Sequence, residues 1–232
     1  MSFWKVTIKR STHLSKSYII IGAFLTIYGV VISNLMSIIP PDINTPAPID
    51  LTNSFPLLSI ALLSMAAVLF ALPVIMLFVY DKNNGVLEYL LSTGLDQLDI
   101  FKGYVKASLV LATYLLVFAI ILNTVVGVLL GTSLTMLFSI AILTFAIGIS
   151  EVFLVSVCMI AFSSLQRTPM GANQPLGVII GVVPMFPALI LPLAFPTYAI
   201  LVDLTIAAIT LLASLALLLS TGRLIRREKL LP

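Results

Sequence analysis

Long uninterrupted runs of apolar residues alternate with short polar segments along most of this chain. Six of the runs are close to the roughly 20 helical residues needed to cross a bilayer core about 30 Å thick. They lie at residues 18–39, 55–80, 105–130, 134–162, 178–195 and 198–219. The pattern therefore predicts an all-α membrane protein with six transmembrane helices.

The segment before the first run, residues 1–17, has a different pattern. Phe3, Trp4 and Ile8 are spaced among several basic residues. Because Trp and Phe favour the membrane–water interface, this pattern predicts an amphipathic helix that lies on the membrane surface. The alternative is an unstructured basic tail that only sets the orientation of the first span.

The polar segment between the second and third runs, residues 81–104, also predicts helical structure. Residues 81–85 are rich in turn-forming types. The apolar residues that follow recur at helical spacing: Val86, Leu87, Leu90 and Leu91. Residues 92–94 interrupt this helix, and Thr93 with Asp96 matches a capping box that begins a second helix. We therefore predict two short helices here, lying in or against the membrane interface.

The basic residues are confined to one side of a six-span arrangement. The chain is 60% hydrophobic and 9% charged, with a mean hydropathy of +1.20, whereas soluble domains carry about 25% charged residues. All twelve lysines and arginines lie within or beside four segments on that side: 1–17, 81–104, 163–177 and 220–232. The opposite side carries only Asp42 and Asp50.

This asymmetry predicts the orientation of the chain. By the positive-inside rule the basic side is cytoplasmic, so both termini, including the basic tail at 220–232, are expected in the cytoplasm of a cell-membrane protein. The same placement accounts for the pI near 9.1 without a nucleic-acid partner. Because six spans with short connections occupy residues 1–232, we expect a single transmembrane domain.

Four polar side chains within the predicted spans are candidates for a translocation path: Asn34, Asn123, Glu151 and Asp203. Carboxylates inside a membrane are energetically costly, and for that reason they often mark functional sites. The competing interpretation is that these side chains form interhelical or inter-subunit hydrogen bonds, each worth roughly 0.6–2 kcal/mol. Both interpretations stay open for Glu151, while Asp203 is expected nearer the outer face.

Residues 81–106 also resemble a known family, the permease subunits of ABC transporters of the ABC-2 type. After its second span that family has an acidic residue, a Gly, a Leu-Glu pair, a Leu-Leu pair, a small polar residue, a turn and a short helix. The matching residues here are Asp81, Gly85, Leu87-Glu88, Leu90-Leu91, Ser92-Thr93 and Ile100. The resemblance extends more loosely to the six-span layout and to the N-terminal helix.

The resemblance implies a transport subunit without a catalytic role of its own. In the family this cytoplasmic segment is the coupling helix that docks on a separate ATP-binding subunit. The residues implied in that contact are Gly85, Leu87, Glu88, Leu91, Thr93 and Asp96. ATP and Mg²⁺ belong to that partner, because this chain has no GxxxxGK[ST] phosphate loop. Six spans are half of the usual set, which implies a homodimer or a heterodimer with a second permease, acting as an exporter.

Two other classes of function compete with this interpretation. The first is a small proton-coupled secondary transporter in which Glu151 and Asp203 relay protons, although the two halves of the chain show no internal repeat. The second is a membrane-embedded enzyme, which needs paired carboxylates, a His cluster or a Ser with a base. Glu151 and Asp203 are expected on different helices at different depths, so no enzymatic activity, resident cofactor or metal site is expected.

Overall fold

The computed structural model of the protein describes residues 3–14, 16–36, 51–165, 190–191 and 198–224. Throughout these residues the regular structure is helical, with seven helices and no strand. The helices are α1 (Phe3–Leu14), α2 (Lys16–Met36), α3 (Leu51–Asn83), α4 (Val86–Ser92), α5 (Gln97–Leu129), α6 (Leu134–Leu165) and α7 (Ala199–Leu224). The all-α class predicted from the apolar runs is confirmed.

Four of these helices contain an apolar stretch that is long enough to cross a membrane. The stretches are Ile60–Asn83 in α3, Gln97–Leu129 in α5, Leu134–Cys158 in α6 and Ile200–Leu219 in α7. A fifth arises only if α1 and α2, which meet at 86°, are taken together as one bent span. Four helices of this length and composition indicate a multi-pass membrane protein.

The predicted spans correspond to these helices as follows. Four of them coincide with a long apolar helix: 55–80, 105–130, 134–162 and 198–219. The predicted span at 18–39 overlaps α2, which is helical through Met36. The predicted span at 178–195 lies almost entirely outside the described residues. The count of six spans therefore stays a prediction.

The helix bundle is organised around α3 and α6. In each of their apolar stretches 67% of the residues are buried, against 33% in α5 and 28% in α7. α3 packs against α2, α5 and α6, while α7 packs against α6. Ala66, Ala67 and Ala71 of α3 are fully buried, and such small residues let neighbouring helices approach closely. α1 crosses one end of the bundle and contacts α3 and α5.

The predicted boundary between α4 and the third span was wrong. Thr93 does not begin a second short helix. Instead it follows the last residue of α4, and its hydroxyl donates to the Leu90 carbonyl at 2.7 Å. Asp96 precedes α5 with an extended backbone, and its carbonyl accepts the first helical hydrogen bonds of α5. From Gln97 to Leu129 the chain is one 33-residue helix. The predicted second short helix is continuous with the third span, because no glycine turn separates them.

Candidate functional site

Residues 81–104 fold around the short helix α4, which is held between two glycine turns. Gly85 precedes α4 with φ of 71° and Gly94 follows it with φ of 88°. Glycine adopts this left-handed backbone without a steric penalty. Leu87 and Leu91 of α4 are buried in a cluster with residues of α3 and α5, whereas Tyr89 is 68% exposed. The predicted amphipathic helix is therefore present at this position.

The residues implied in a partner contact fall into two groups. Leu87 and Leu91 face the interior of the bundle and are not available to a partner. The accessible side chains of the segment include Glu88, which is half-buried, and Tyr89, Thr93 and Asp96, which are exposed. Of these, Tyr89 was not among the predicted contact residues, although its place off the apolar face of α4 was a usable signal. A partner docking here meets a polar and aromatic surface.

A buried carboxylate at the end of α3 ties three helices together. Asp81 is fully buried. Its two oxygens accept hydrogen bonds from the Arg10 guanidinium, at 3.0 Å for Nη1–Oδ2 and 2.6 Å for Nη2–Oδ1. The Tyr104 hydroxyl of α5 donates to Oδ2 at 2.5 Å. Such a two-pronged contact matches the planar guanidinium and is strong and directional, so α1 is fixed to both α3 and α5.

Aromatic side chains pack against Tyr104, the second donor to Asp81. The rings of Phe3 and Phe78 meet the Tyr104 ring edge-on, with centroid distances of 5.4 and 5.1 Å. Edge-on contacts of this kind are favourable beyond the area that they bury. The Phe3 ring lies over Gly103, where any Cβ atom would overlap it. α1 is thus a packed helix rather than an unstructured tail.

Sequence reasoning missed Arg10 and Tyr104 as partners of Asp81. Asp81 was interpreted only as a turn residue and as the first residue of the family pattern. A signal was present, because a carboxylate that directly follows a long apolar run needs a cation or several donors if it is buried. Arg10, which the structure places beside Asp81, is one of the basic residues predicted on the same side of the membrane.

Asn34 and Asn123, two of the candidate translocation residues, are brought together. The Asn34 amide nitrogen donates to Asn123 Oδ1 at 2.9 Å, and both side chains are buried. This bond joins α2 to α5. Hydroxyl pairs join other helices in the same way: Ser108 with Ser156 at 2.7 Å, and Thr210 with Ser150 at 2.9 Å. The geometry agrees with the interhelical hydrogen-bonding interpretation of the two asparagines.

Glu151, the third candidate, lies in a different environment. It is fully buried in α6, and neither Oε1 nor Oε2 makes a hydrogen bond within the described residues. Ser64 of α3 and Asp203 of α7 are polar neighbours of its carboxyl group. The Ser64 hydroxyl, however, donates to the Ala61 carbonyl of its own helix at 3.0 Å. The Ser64 proton is therefore not available to the Glu151 carboxylate while this bond is made.

Asp203, the fourth candidate, is 1% exposed, and its Oδ2 also lacks a partner among the described residues. The structure thus places two buried carboxyl groups on two helices that pack against each other, α6 and α7. Buried carboxyls of this kind can take up and release protons or hold a small cation. The described residues contain no group of three side chains suited to hold a metal ion.

Comparison with known proteins adds no further constraint on the function. The resemblance of residues 81–106 to the ABC-2 permeases rests on the sequence pattern of those residues. No protein-family model matches the chain, and neither does any curated protein or any solved structure.

Proposed function

We propose that this chain is the membrane-spanning permease subunit of an ATP-driven ABC-type exporter. The observation that carries the proposal is α4, a short helix at the end of the bundle between two glycine turns. Its inner face is anchored by Leu87 and Leu91, and its outer face leaves Tyr89 exposed and Glu88 partly exposed. A coupling helix needs this combination, because it must bind a moving partner and transmit that motion inward.

The contacts of α4 provide a path for such motion. Leu87 and Leu91 share a buried cluster with Phe78 of α3 and with Phe101 of α5. A displacement of α4 therefore acts on the ends of two long apolar helices at once. Asp81 extends the path to α1 through its bonds to Arg10. Close-packed interiors transmit small displacements rather than absorbing them.

The other subunits of the proposed transporter are separate chains. ATP and Mg²⁺ bind to a partner ATPase subunit, and a second permease, identical or homologous, completes the translocation path. The chain lies in the cell membrane with six spans and both termini in the cytoplasm. Glu88 and Asp96 meet basic residues of the ATPase, where charge complementarity sets partner choice more than raw affinity. Few charges line the spans, which favours an amphipathic or apolar substrate.

The proposal is tested by isolating the tagged protein in mild detergent and identifying what is bound to it. Wild type is compared with Glu88→Arg and with Ser133→Arg, a control at the exposed turn between α5 and α6 at the other end of the bundle. We expect an ATPase subunit to be recovered with wild type and with Ser133→Arg, and to be lost with Glu88→Arg. A stable wild-type protein that carries no ATPase would overturn the proposal.

A second candidate is a small proton-coupled secondary transporter that uses Glu151 and Asp203. The observation that favours it is the absence of a partner for either Glu151 oxygen within the described residues. Its test is proton uptake into proteoliposomes without ATP, followed with a trapped pH-sensitive dye. Uptake by wild type that Glu151→Gln abolishes would support this candidate. No uptake by either protein would leave the ABC-type interpretation in place.

A further inference from the structure

Two pairs of lysines lie on neighbouring helices at one end of the bundle. Lys5 and Lys9 are four residues apart on α1, and Lys102 and Lys106 are four residues apart on α5. Helical residues at this spacing share a face. All four side chains are exposed, and α1 packs directly against α5. The two helices therefore carry two lysine rows on one end of the molecule.

Trp4 lies where these two rows meet. The ammonium nitrogens of Lys5 and Lys106 lie 5.6 and 5.4 Å from the centroid of its ring. The indole is only partly buried and packs against the cluster formed by α3, α4 and α5. Each ammonium gains from the face of the ring, but two like charges drawn to one ring also repel each other. An anion that binds near both ammonium groups offsets that repulsion.

No protein carboxylate supplies this anion among the described residues. The ion pair found there joins Arg10 to Asp81, and it involves none of the four lysines. Asp99, the acidic residue one turn before Lys102 on α5, is exposed and forms no ion pair with it. The charge of the four ammonium groups is therefore left to be balanced from outside the described part of the chain.

The direction of α1 favours a position for this site at the level of lipid headgroups. α1 meets α2 at 86°, and α2 is an apolar helix, packed against α3, that the sequence predicts as the first span. A helix at nearly a right angle to a span lies along the membrane surface. Tryptophan is enriched at that surface, and basic residues there are attracted to anionic lipids.

We propose that Trp4 and the four lysines form a binding site for the phosphate headgroup of an anionic phospholipid. The phosphate binds beside the Trp4 ring, where the ammonium groups of Lys5 and Lys106 both lie. The Trp4 ring packs against the glycerol backbone below the phosphate, and Lys9 and Lys102 add charge at the edge of the site. This site does not depend on the transport function proposed above. It requires only that the apolar helices lie in a bilayer.

The protein contains its own probe, because Trp4 is the one tryptophan of the chain. The full-length protein is reconstituted into phosphatidylcholine vesicles that contain increasing fractions of brominated phosphatidylglycerol or, separately, brominated phosphatidylcholine. Bromine quenches tryptophan fluorescence at short range. We expect brominated phosphatidylglycerol to quench Trp4 at a clearly lower mole fraction than brominated phosphatidylcholine. Equal quenching by the two lipids would overturn the proposal.

Matched variants separate a built site from general attraction between a basic protein and an acidic membrane. Lys106→Gln and Lys16→Gln each remove one exposed lysine, and only the first removes a lysine in contact with Trp4. We expect Lys106→Gln to raise the half-quenching fraction of the anionic lipid about fivefold, the change typical of one basic residue at a charged surface. Lys16→Gln should change it much less, and Lys106→Arg should restore it. Equal effects of Lys106→Gln and Lys16→Gln would contradict the proposal.

The source of the phosphate is tested in the same vesicles. Sodium phosphate is compared with sodium chloride at equal ionic strength, so that both salts screen charges alike. If the site holds a lipid headgroup, the two salts should reduce quenching to the same extent. Selective loss of quenching in phosphate would show that the site prefers the free anion, and it would overturn the assignment to a lipid.

Discussion

Asp81 and Glu151 are both fully buried carboxylates in this protein, but their surroundings differ completely. At the end of the bundle, Asp81 receives three hydrogen bonds from the side chains of Arg10 and Tyr104. In the interior, both oxygens of Glu151 lack a partner within the described residues. Buried polar groups in proteins are nearly always paired. We therefore expect Asp81 to hold helices together, and we keep Glu151 as a candidate for function.

The two carboxylates differ because different hydrogen-bond donors are within reach of each. Asp81 lies at the end of a long apolar stretch, where a basic helix can reach it. Beside Glu151, two hydroxyls donate to the backbone of their own helices: the Ser150 hydroxyl donates to the Ile147 carbonyl at 2.9 Å, and Ser64 donates to Ala61. Burial without a partner is costly, and a protein retains such a cost where the group is needed.

The largest expected effect comes from Asp81→Asn. The amide keeps the shape of the side chain but removes the charge and turns a donor toward Arg10, so we expect a loss of about 3 kcal/mol in the free energy of unfolding. Unfolding in mixed micelles titrated with SDS is followed by labelling of Cys158, the one cysteine of the chain, which is buried. The exposed Asp99→Asn serves as control. A loss as large for Asp99→Asn would contradict the distinction.

Arg10→Ala should come next, because it removes the cation and leaves the Tyr104 hydroxyl as the remaining donor to Asp81. The Arg10 side chain is 40% exposed, and solvent screens its interaction, so we expect a loss of about 2 kcal/mol. Arg10→Lys should recover only part of it, since lysine cannot form the two-pronged contact. The same SDS titration measures both variants. Full recovery by lysine would show that charge alone, without geometry, holds α1 in place.

The pair of asparagines allows a test in the interior that does not involve charge. Asn123→Ala should cost about 1 kcal/mol, the usual value of one hydrogen bond between membrane helices. Because Asn34 and Asn123 bond to each other, the double alanine variant should cost less than the sum of the two single variants. A double-mutant cycle of SDS titrations measures the difference between the loss in the double variant and the sum of the two single losses. Additive losses would mean that each asparagine acts independently of the other.

The smallest expected effect on stability comes from Glu151→Gln, and its sign should be opposite to that of Asp81→Asn. No hydrogen bond within the described residues is lost, and glutamine cannot become charged at the buried site, so stability should stay the same or rise by up to about 1 kcal/mol. Activity, measured as transport or as ATPase stimulation, should fall. A destabilisation comparable to that of Asp81→Asn would assign Glu151 a structural role.

The long helices could be predicted from the sequence because their signal is local and repeated. A run of some twenty apolar residues specifies a helix of membrane-spanning length whatever surrounds it. The inner face of α4 was predicted for the same reason, because Leu87 and Leu91 repeat at helical spacing. The start of α5 was not, because Thr93 and Asp96 fit a capping box that the glycine turn at Gly94 makes irrelevant.

The pairings between distant residues could not be predicted. Arg10 and Asp81 are 71 positions apart, and Asn34 and Asn123 are 89 apart. No local pattern links such residues, since their contact depends on how whole helices pack. The sequence marked Asp81 and both asparagines as polar positions beside or within apolar runs. It could not show which polar side chains find partners and which, like Glu151, have none within the described residues.

The contact between Phe3 and Gly103 has a consequence for how this protein can change over evolution. A side chain larger than hydrogen at position 103 would overlap the Phe3 ring, so the two positions cannot vary independently. In related sequences, a larger residue at 103 should be accompanied by a smaller one at 3. Covariation between these two positions would therefore be a sequence-level mark of the docked N-terminal helix.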